Sequence, residues 1–177
     1  MNTIDLVYIA VFSVIIAVCS WISIPAVVPF TLQTFAIFSA LILLGGQKAL
    51  YSILVYIFLG AIGLPVFSGF KNGAGVLLGT TGGYIIGFIP MALIYLFFEK
   101  HFQQKPLNIF IALIIGLIVC YTFGTMWFIF VYAKKVGSIA LSTVIMWCVV
   151  PFILPDIIKM FLAYFIVAKR VKPMLKK

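Results

Sequence analysis

The charged residues of this chain are so sparse that they leave uncharged runs over residues 6–47, 49–70, 72–98, 106–133 and 136–155. About 20 apolar residues are enough to cross the hydrocarbon core of a bilayer. The first run therefore holds two crossings, with Pro25 and Pro29 marking the turn between them. Of the 177 residues 66% are hydrophobic and 8% charged, and the mean hydropathy is +1.32. A soluble domain carries about a quarter of its residues as charges. A membrane setting is what such a chain can fold into.

The runs predict an all-α membrane protein, a bundle of six transmembrane helices forming one domain over residues 1–177. The expected helices cover residues 5–21, 30–44, 49–63, 82–98, 107–127 and 155–168. The last has an apolar lead-in from Ile139, either a short separate helix or the outer turns of the sixth. Leu6 to Cys19 has no basic stretch before it and no small-x-small site after it, so it is not read as a cleavable signal peptide.

An even number of crossings puts both termini on one side, and basic residues select that side. Cytoplasmic termini place Lys48, Lys100, Lys105, Lys169, Arg170, Lys172, Lys176 and Lys177 inside, against Lys71, Lys134 and Lys135 outside. The formal net charge of +9 is then a topology signal plus a basic tail against anionic lipid. Nucleic acid is excluded as a partner, because no soluble fold is left to carry it.

Asp156 and Lys159 stand out against this background, three residues apart and on one face of a helix. A charge at the centre of a membrane helix costs roughly 2.5–3.5 kcal/mol on insertion scales, and such residues mark functional sites by default. The same orientation brings Phe30, Thr31, Gln33 and Thr34, then Gly82, Gly83 and Tyr84, then Asp156 and Lys159 to a similar depth near the outer face. Tyr121, Gly124 and Trp127 end the fifth helix there. A pocket open to the outside accounts for this convergence.

Each residue also has a plainer reading. Asp156 is either a ligand group or a helix-start carboxylate favoured by the macrodipole and neutralised by Lys159. Gly79, Gly83 and Gly87 form small-xxx-small spacings that either pack helices closely or let backbone approach a ligand. Gln33 either faces a ligand or bonds a neighbouring helix, and Tyr84, Tyr121 and Trp127 suit an interfacial aromatic belt as well as a pocket.

The chemistry that would make this an enzyme is missing from the sequence. There is no Gly-x-x-x-x-Gly-Lys-Ser/Thr phosphate loop, and residues 68–75 have the wrong spacing for one. His101 stands alone in an inner loop, far from Asp156. Cys19, Cys120 and Cys148 lie unpaired in apolar segments and read as small buried hydrophobes. No metal and no cofactor is expected.

Four motifs carry a family resemblance: Pro29 to Thr34, Leu59 to Phe67, Thr81 to Phe88, and Pro151 to Lys159. In this order, over nearly the whole chain, they resemble the BioY family of biotin transporters. Thr80 stands where the family pattern has proline, and Pro155 where it has glycine. The resemblance implies the substrate-capture (S) component of an energy-coupling factor (ECF) importer in a bacterial plasma membrane. A transmembrane coupling subunit and two cytoplasmic ATPase subunits then supply the power, and biotin is the ligand.

On that reading the candidate substrate-binding residues are Asp156, Lys159, Tyr84, Gly82, Gly83, Gln33, Thr34, Phe30 and Phe123. Ionised Asp156 accepts from ureido N–H groups, while Lys159 either meets the ligand carboxylate or holds Asp156 charged. Phe30, Tyr84 and Phe123 are candidate walls for the thiophane ring. Nanomolar capture takes about −12 kcal/mol and requires near-complete enclosure of so small a ligand. Residues 23–29 and 67–79 are the natural lids. Ala10, Ser13 and Ala17 form a small-residue stripe on the first helix that either packs internally or docks the coupling subunit. The competing functional class is a stand-alone secondary transporter or channel for a small polar metabolite.

Overall fold

The computed structural model describes residues 2–171, with side chains described to residue 169. The Arg170 side chain and Lys172, Lys176 and Lys177 of the topology argument lie outside the described residues. Nine α-helices occur among the described residues: α1 (Thr3–Trp21), α2 (Gln33–Leu44), α3 (Gly46–Ala61), α4 (Ala74–Leu77), α5 (Gly82–Ile86), α6 (Phe88–His101), α7 (Pro106–Lys135), α8 (Leu141–Cys148) and α9 (Val150–Ala163). A π-helical segment, Tyr164–Val171, continues α9. Four apolar stretches are long enough to cross a membrane: Thr3–Trp21, Gly82–His101, Pro106–Lys135 and Leu141–Lys169. α2 and α3 are shorter apolar helices.

α1 shows how such a helix finds its orientation when both faces are apolar. Val7, Val11, Val14 and Val18 are exposed on one side, while Ile9, Phe12, Ser13, Ile16, Ala17 and Ser20 are buried on the other. The discriminating residues are the two serines, whose hydroxyls need partners that lipid does not provide. Ser13 donates to the carbonyls of Ile9 (2.7 Å) and, on α3, Ser52 (3.0 Å). Ser20 donates to the carbonyls of Ala17 (2.7 Å) and Val66 (2.5 Å). Ala10 is exposed. The Ser13–Ala17 part of the stripe proposed as a docking face thus packs within this chain, because a buried hydroxyl is satisfied there by α3.

The core is formed where α2 meets α1, α3 and α9, and where α6 lies between α3 and α7. Ile16, Ile37, Phe38, Leu41, Ile53, Tyr56, Met91 and Leu113 are almost wholly buried in it. At one end of the bundle Lys48 on α3 is ion-paired with Asp5 on α1. Beside them, Glu99 on α6 accepts the Gly46 N–H at 2.6 Å, capping the start of α3. Gly45 makes the turn into that helix with φ 83°.

Several boundaries differ from those expected, and the open alternative for the lead-in is decided. Phe30 and Thr31 are extended rather than helical, forming strand β2 (Phe30–Thr31), which pairs antiparallel with β1 (Ser23–Ile24). This pairing holds both residues extended, and the ribbon delays the second helix to Gln33. The fifth helix does not stop at Trp127 but runs on to Lys135, since nothing between these residues breaks a helix and Lys134 and Lys135 suit its C-terminal dipole. Its 30 residues span about 45 Å, more than the bilayer core requires. The lead-in to the last helix is a separate helix, α8, broken from α9 at Val149 (φ −122°, ψ −58°). Finally, α9 starts at Val150 with Pro155 inside it, so Asp156 is in the second turn and is not a helix-start carboxylate.

Candidate functional site

The extended turn at β2 is what makes the polar cluster possible. A helical Thr31 would commit its carbonyl to the helix ladder. In the ribbon that oxygen instead accepts from the Lys159 ammonium at 2.7 Å. Lys159 also donates to Thr34 Oγ1 (3.1 Å) and Asp156 Oδ1 (2.9 Å). Its Nζ sits 4.2 Å from the centroid of the Phe30 ring. An ammonium has three N–H donors, and here all three have acceptors. Thr34 in turn donates to Asp156 Oδ1 at 2.8 Å, and Tyr121 on α7 donates to Oδ2 at 2.6 Å.

Asp156 and Lys159 are 1% and 6% exposed. At such depth a lone charge costs several kcal/mol, and the pair persists because each member is bonded on several sides. A carboxylate offers about four lone-pair positions. Oδ1 accepts from two donors and Oδ2 from one, leaving acceptor capacity on Oδ2. A preorganised acceptor of this kind is able to take a further N–H donor.

This cluster forms the floor of a cavity of about 100 Å³. Its lining includes Thr31, Gln33, Thr34, Tyr84, Asp156 and Lys159 of the residues singled out by sequence, together with Tyr121. Aromatic wall comes from Phe67, Tyr84, Phe88 and Phe152. Both predicted lid segments contribute, through Val28 and Pro29 in one and Phe67, Ser68, Lys71 and Val76 in the other. Gln33 is oriented from behind by donating its Nε2 to the Tyr56 hydroxyl at 3.0 Å.

Phe30, Gly82, Gly83 and Phe123 are not among the lining residues. Phe30 lies under Lys159 and tilts against Phe152, with ring centroids 5.9 Å apart. Phe123 is 37% exposed and stacks on Trp127. A Cβ on Gly82 would collide with the Leu77 backbone carbonyl, and one on Gly83 with the Trp127 side chain. These two glycines sit where elements touch. The same holds for Gly124, whose missing side chain leaves room for the Tyr84 ring. Tyr84 then reaches Thr125, with the two hydroxyls 3.2 Å apart.

Sequence reasoning noted Tyr121 only as one of several outer aromatics. Nothing in the sequence marks its direct bond to Asp156. Phe67 and Lys71 fall in an expected lid and Phe88 and Phe152 in the family motifs, but none of the four stands out there as a pocket residue. The usable signal for Tyr121 was its place on the fifth helix at the depth of Asp156. A second, larger hollow of about 750 Å³ lies among α7, α8 and α9 and shares Leu117 and Tyr121 with the first. Its lining carries no charge, and Ile114, Ile118, Met126 and Phe161 on it are all well exposed. It opens to the flank of the bundle. Among the described residues no group of His, Cys, Asp and Glu is placed to hold a metal ion.

A sequence model of the BioY family matches residues 1–177. The biotin transporter BioY2 of Lactococcus lactis is 35% identical over 89% of this chain and 85% of its own length. The biotin transporter BioY of Thermotoga maritima is 47% identical over a shorter region, 51% of this chain and 54% of that protein. The structure is also similar to a crystal structure of the S-component for biotin from an ECF-type ABC transporter. That similarity has a TM-score of 0.81 at 29% identity, covering 100% of this chain and 95% of the other. With a match along its whole length and a fold shared from end to end, this multi-pass membrane protein belongs to the BioY family.

Proposed function

We propose that this chain is the biotin-binding S component of an ECF-type importer and captures biotin from the outer side of the cell membrane. The observation that carries the reading is the buried Asp156 carboxylate, fixed by Thr34, Lys159 and Tyr121 yet retaining acceptor capacity on Oδ2. A ureido ring offers two N–H donors to such an oxygen. The apolar thiophane ring suits the wall of Phe67, Tyr84, Phe88 and Phe152. Lys159 is the ion-pair partner of Asp156 and does not itself meet the ligand.

On this reading α2 and α3 complete six crossings with the four longer stretches, and both termini are cytoplasmic. The ion pair of Lys48 with Asp5 and the Glu99 cap then mark the inner end. The pocket opens at the other end. The sequence has no phosphate loop, so energy comes from partners: a transmembrane coupling subunit and two ATPase subunits. The chain itself performs no catalysis.

Titration calorimetry of the detergent-purified chain with biotin tests the central claim. Saturable one-to-one binding at micromolar concentration or tighter is expected. No heat and no competition with labelled biotin would rule the function out.

A further inference from the structure

We infer that Lys71, at the mouth of the pocket, is the residue that recognises the carboxylate end of the ligand and so fixes which way round the ligand enters. The inference rests on the biotin reading above and adds a specificity residue that the sequence motifs did not indicate.

Lys71 lines the same cavity as Asp156 but is exposed, whereas Asp156 and Lys159 are buried. The two ends of the cavity therefore differ in kind, with a fixed acceptor at the floor and a cation at the opening. The chain has three acidic side chains, and each is already engaged. Asp5 pairs with Lys48, Asp156 with Lys159, and Glu99 caps Gly46. No acid remains for Lys71. Lys159, the other cation of the lining, has spent its three donors on Thr31, Thr34 and Asp156. Asp156, Lys159 and Lys71 are the charged lining residues, giving a formal charge of +1 that a monocarboxylate neutralises.

The turn that carries Lys71 is also held in place. The Phe67 ring is 1% exposed and meets Tyr56 edge-on, with centroids 5.6 Å apart. The Phe67 N–H donates to the Lys71 carbonyl at 3.1 Å, closing a tight turn through Gly69 (φ 69°) and Phe70 (φ 58°). Trp21 stacks on Phe70 (5.0 Å) and donates to the Pro65 carbonyl at 2.9 Å. The Gly73 N–H is bonded to the Gly60 carbonyl at 2.8 Å. A turn tethered from both sides fixes the backbone from which the exposed Lys71 side chain reaches the cavity it lines.

The test is calorimetry on the purified full chain with biotin and with biotinamide, whose tail is neutral. Lys71→Gln is expected to weaken biotin about ten-fold, the lower end for a hydrogen bond to a charged group, and to leave biotinamide affinity unchanged. Lys71→Arg is expected to retain most of the affinity for biotin. The inference is overturned if Lys71→Gln binds biotin as the parent chain does, or loses both ligands equally. It is also overturned, with the biotin reading intact, if the parent chain binds biotin and biotinamide equally well. A parent chain that binds neither overturns both readings.

Discussion

Tyr121 on α7 donates its hydroxyl proton to Oδ2 of Asp156 on α9 at 2.6 Å, so the oxygen that retains capacity for a ligand is the one positioned by a neighbouring helix. Oδ1 is held by residues of α2 and α9 themselves. The carboxylate is thereby fixed from both sides of the cavity before any ligand arrives, which lowers the cost of ordering it on binding.

Tyr121→Phe should therefore weaken biotin binding by about 1.5 kcal/mol, roughly ten-fold, the lower end for a hydrogen bond to a charged group. The ring remains to fill the wall, so the loss isolates the hydroxyl. Calorimetry measures it directly. An isotherm identical to that of the parent chain would mean that Tyr121 does not position Asp156.

For the ion pair, stability and affinity should separate. Lys159→Met leaves Asp156 buried without its counter-charge and is expected to destabilise the fold by about 3 kcal/mol, the scale for breaking a buried pair. Asp156→Asn combined with Lys159→Met removes both charges and should regain much of that loss. It should still fail to bind biotin. Asp156→Asn alone should remain folded and lose at least about 1.5 kcal/mol of affinity. Thermal unfolding in detergent, followed by intrinsic fluorescence, checks the order of stability. A double variant no more stable than Lys159→Met would show that the uncompensated carboxylate is not the cause.

The membrane setting, the polar pair and the depth at which pocket residues meet were legible because charge is rare and costly in lipid, so every exception carries information. Asp156 and Lys159 stand out for that reason. Helix faces were much less legible. Ser13 and Ala17 read equally well as a docking stripe or a packing stripe, because apolar residues surround α1 and the deciding fact is an acceptor on α3. Phe30 looked helical in an apolar run, and only its pairing with Ile24 makes it a strand. Tyr121 is marked only as one of several aromatics near the outer end of the fifth helix. Its importance arises from a contact between residues 35 positions apart.

Gly124→Ala tests whether close helix contact governs the pocket wall. The added Cβ would collide with the Tyr84 ring, and overpacking of this kind costs typically 1–3 kcal/mol. Displacing Tyr84 should weaken biotin as well as lower the melting temperature. Gly75→Ala, where a Cβ meets nothing within 4 Å, is the control and should bind biotin normally. Equal affinity in both variants would remove Tyr84 from the wall.

α1 supplies the last test, one that separates folding from assembly. Ser13 and Ala17 are 1% and 5% exposed, and the Ser13 hydroxyl is spent on carbonyls of Ile9 and Ser52. A tryptophan at either position has no space, and at Ser13 it also removes the hydroxyl that bonds α1 to α3. Ser13→Trp with Ala17→Trp should therefore lose biotin binding by the isolated chain together with transport. Ala10→Trp, on an exposed position of the same helix, should bind biotin normally. If the double variant bound biotin with parental affinity while transport failed, the burial of this face would have to give way to partner docking as the explanation of the stripe.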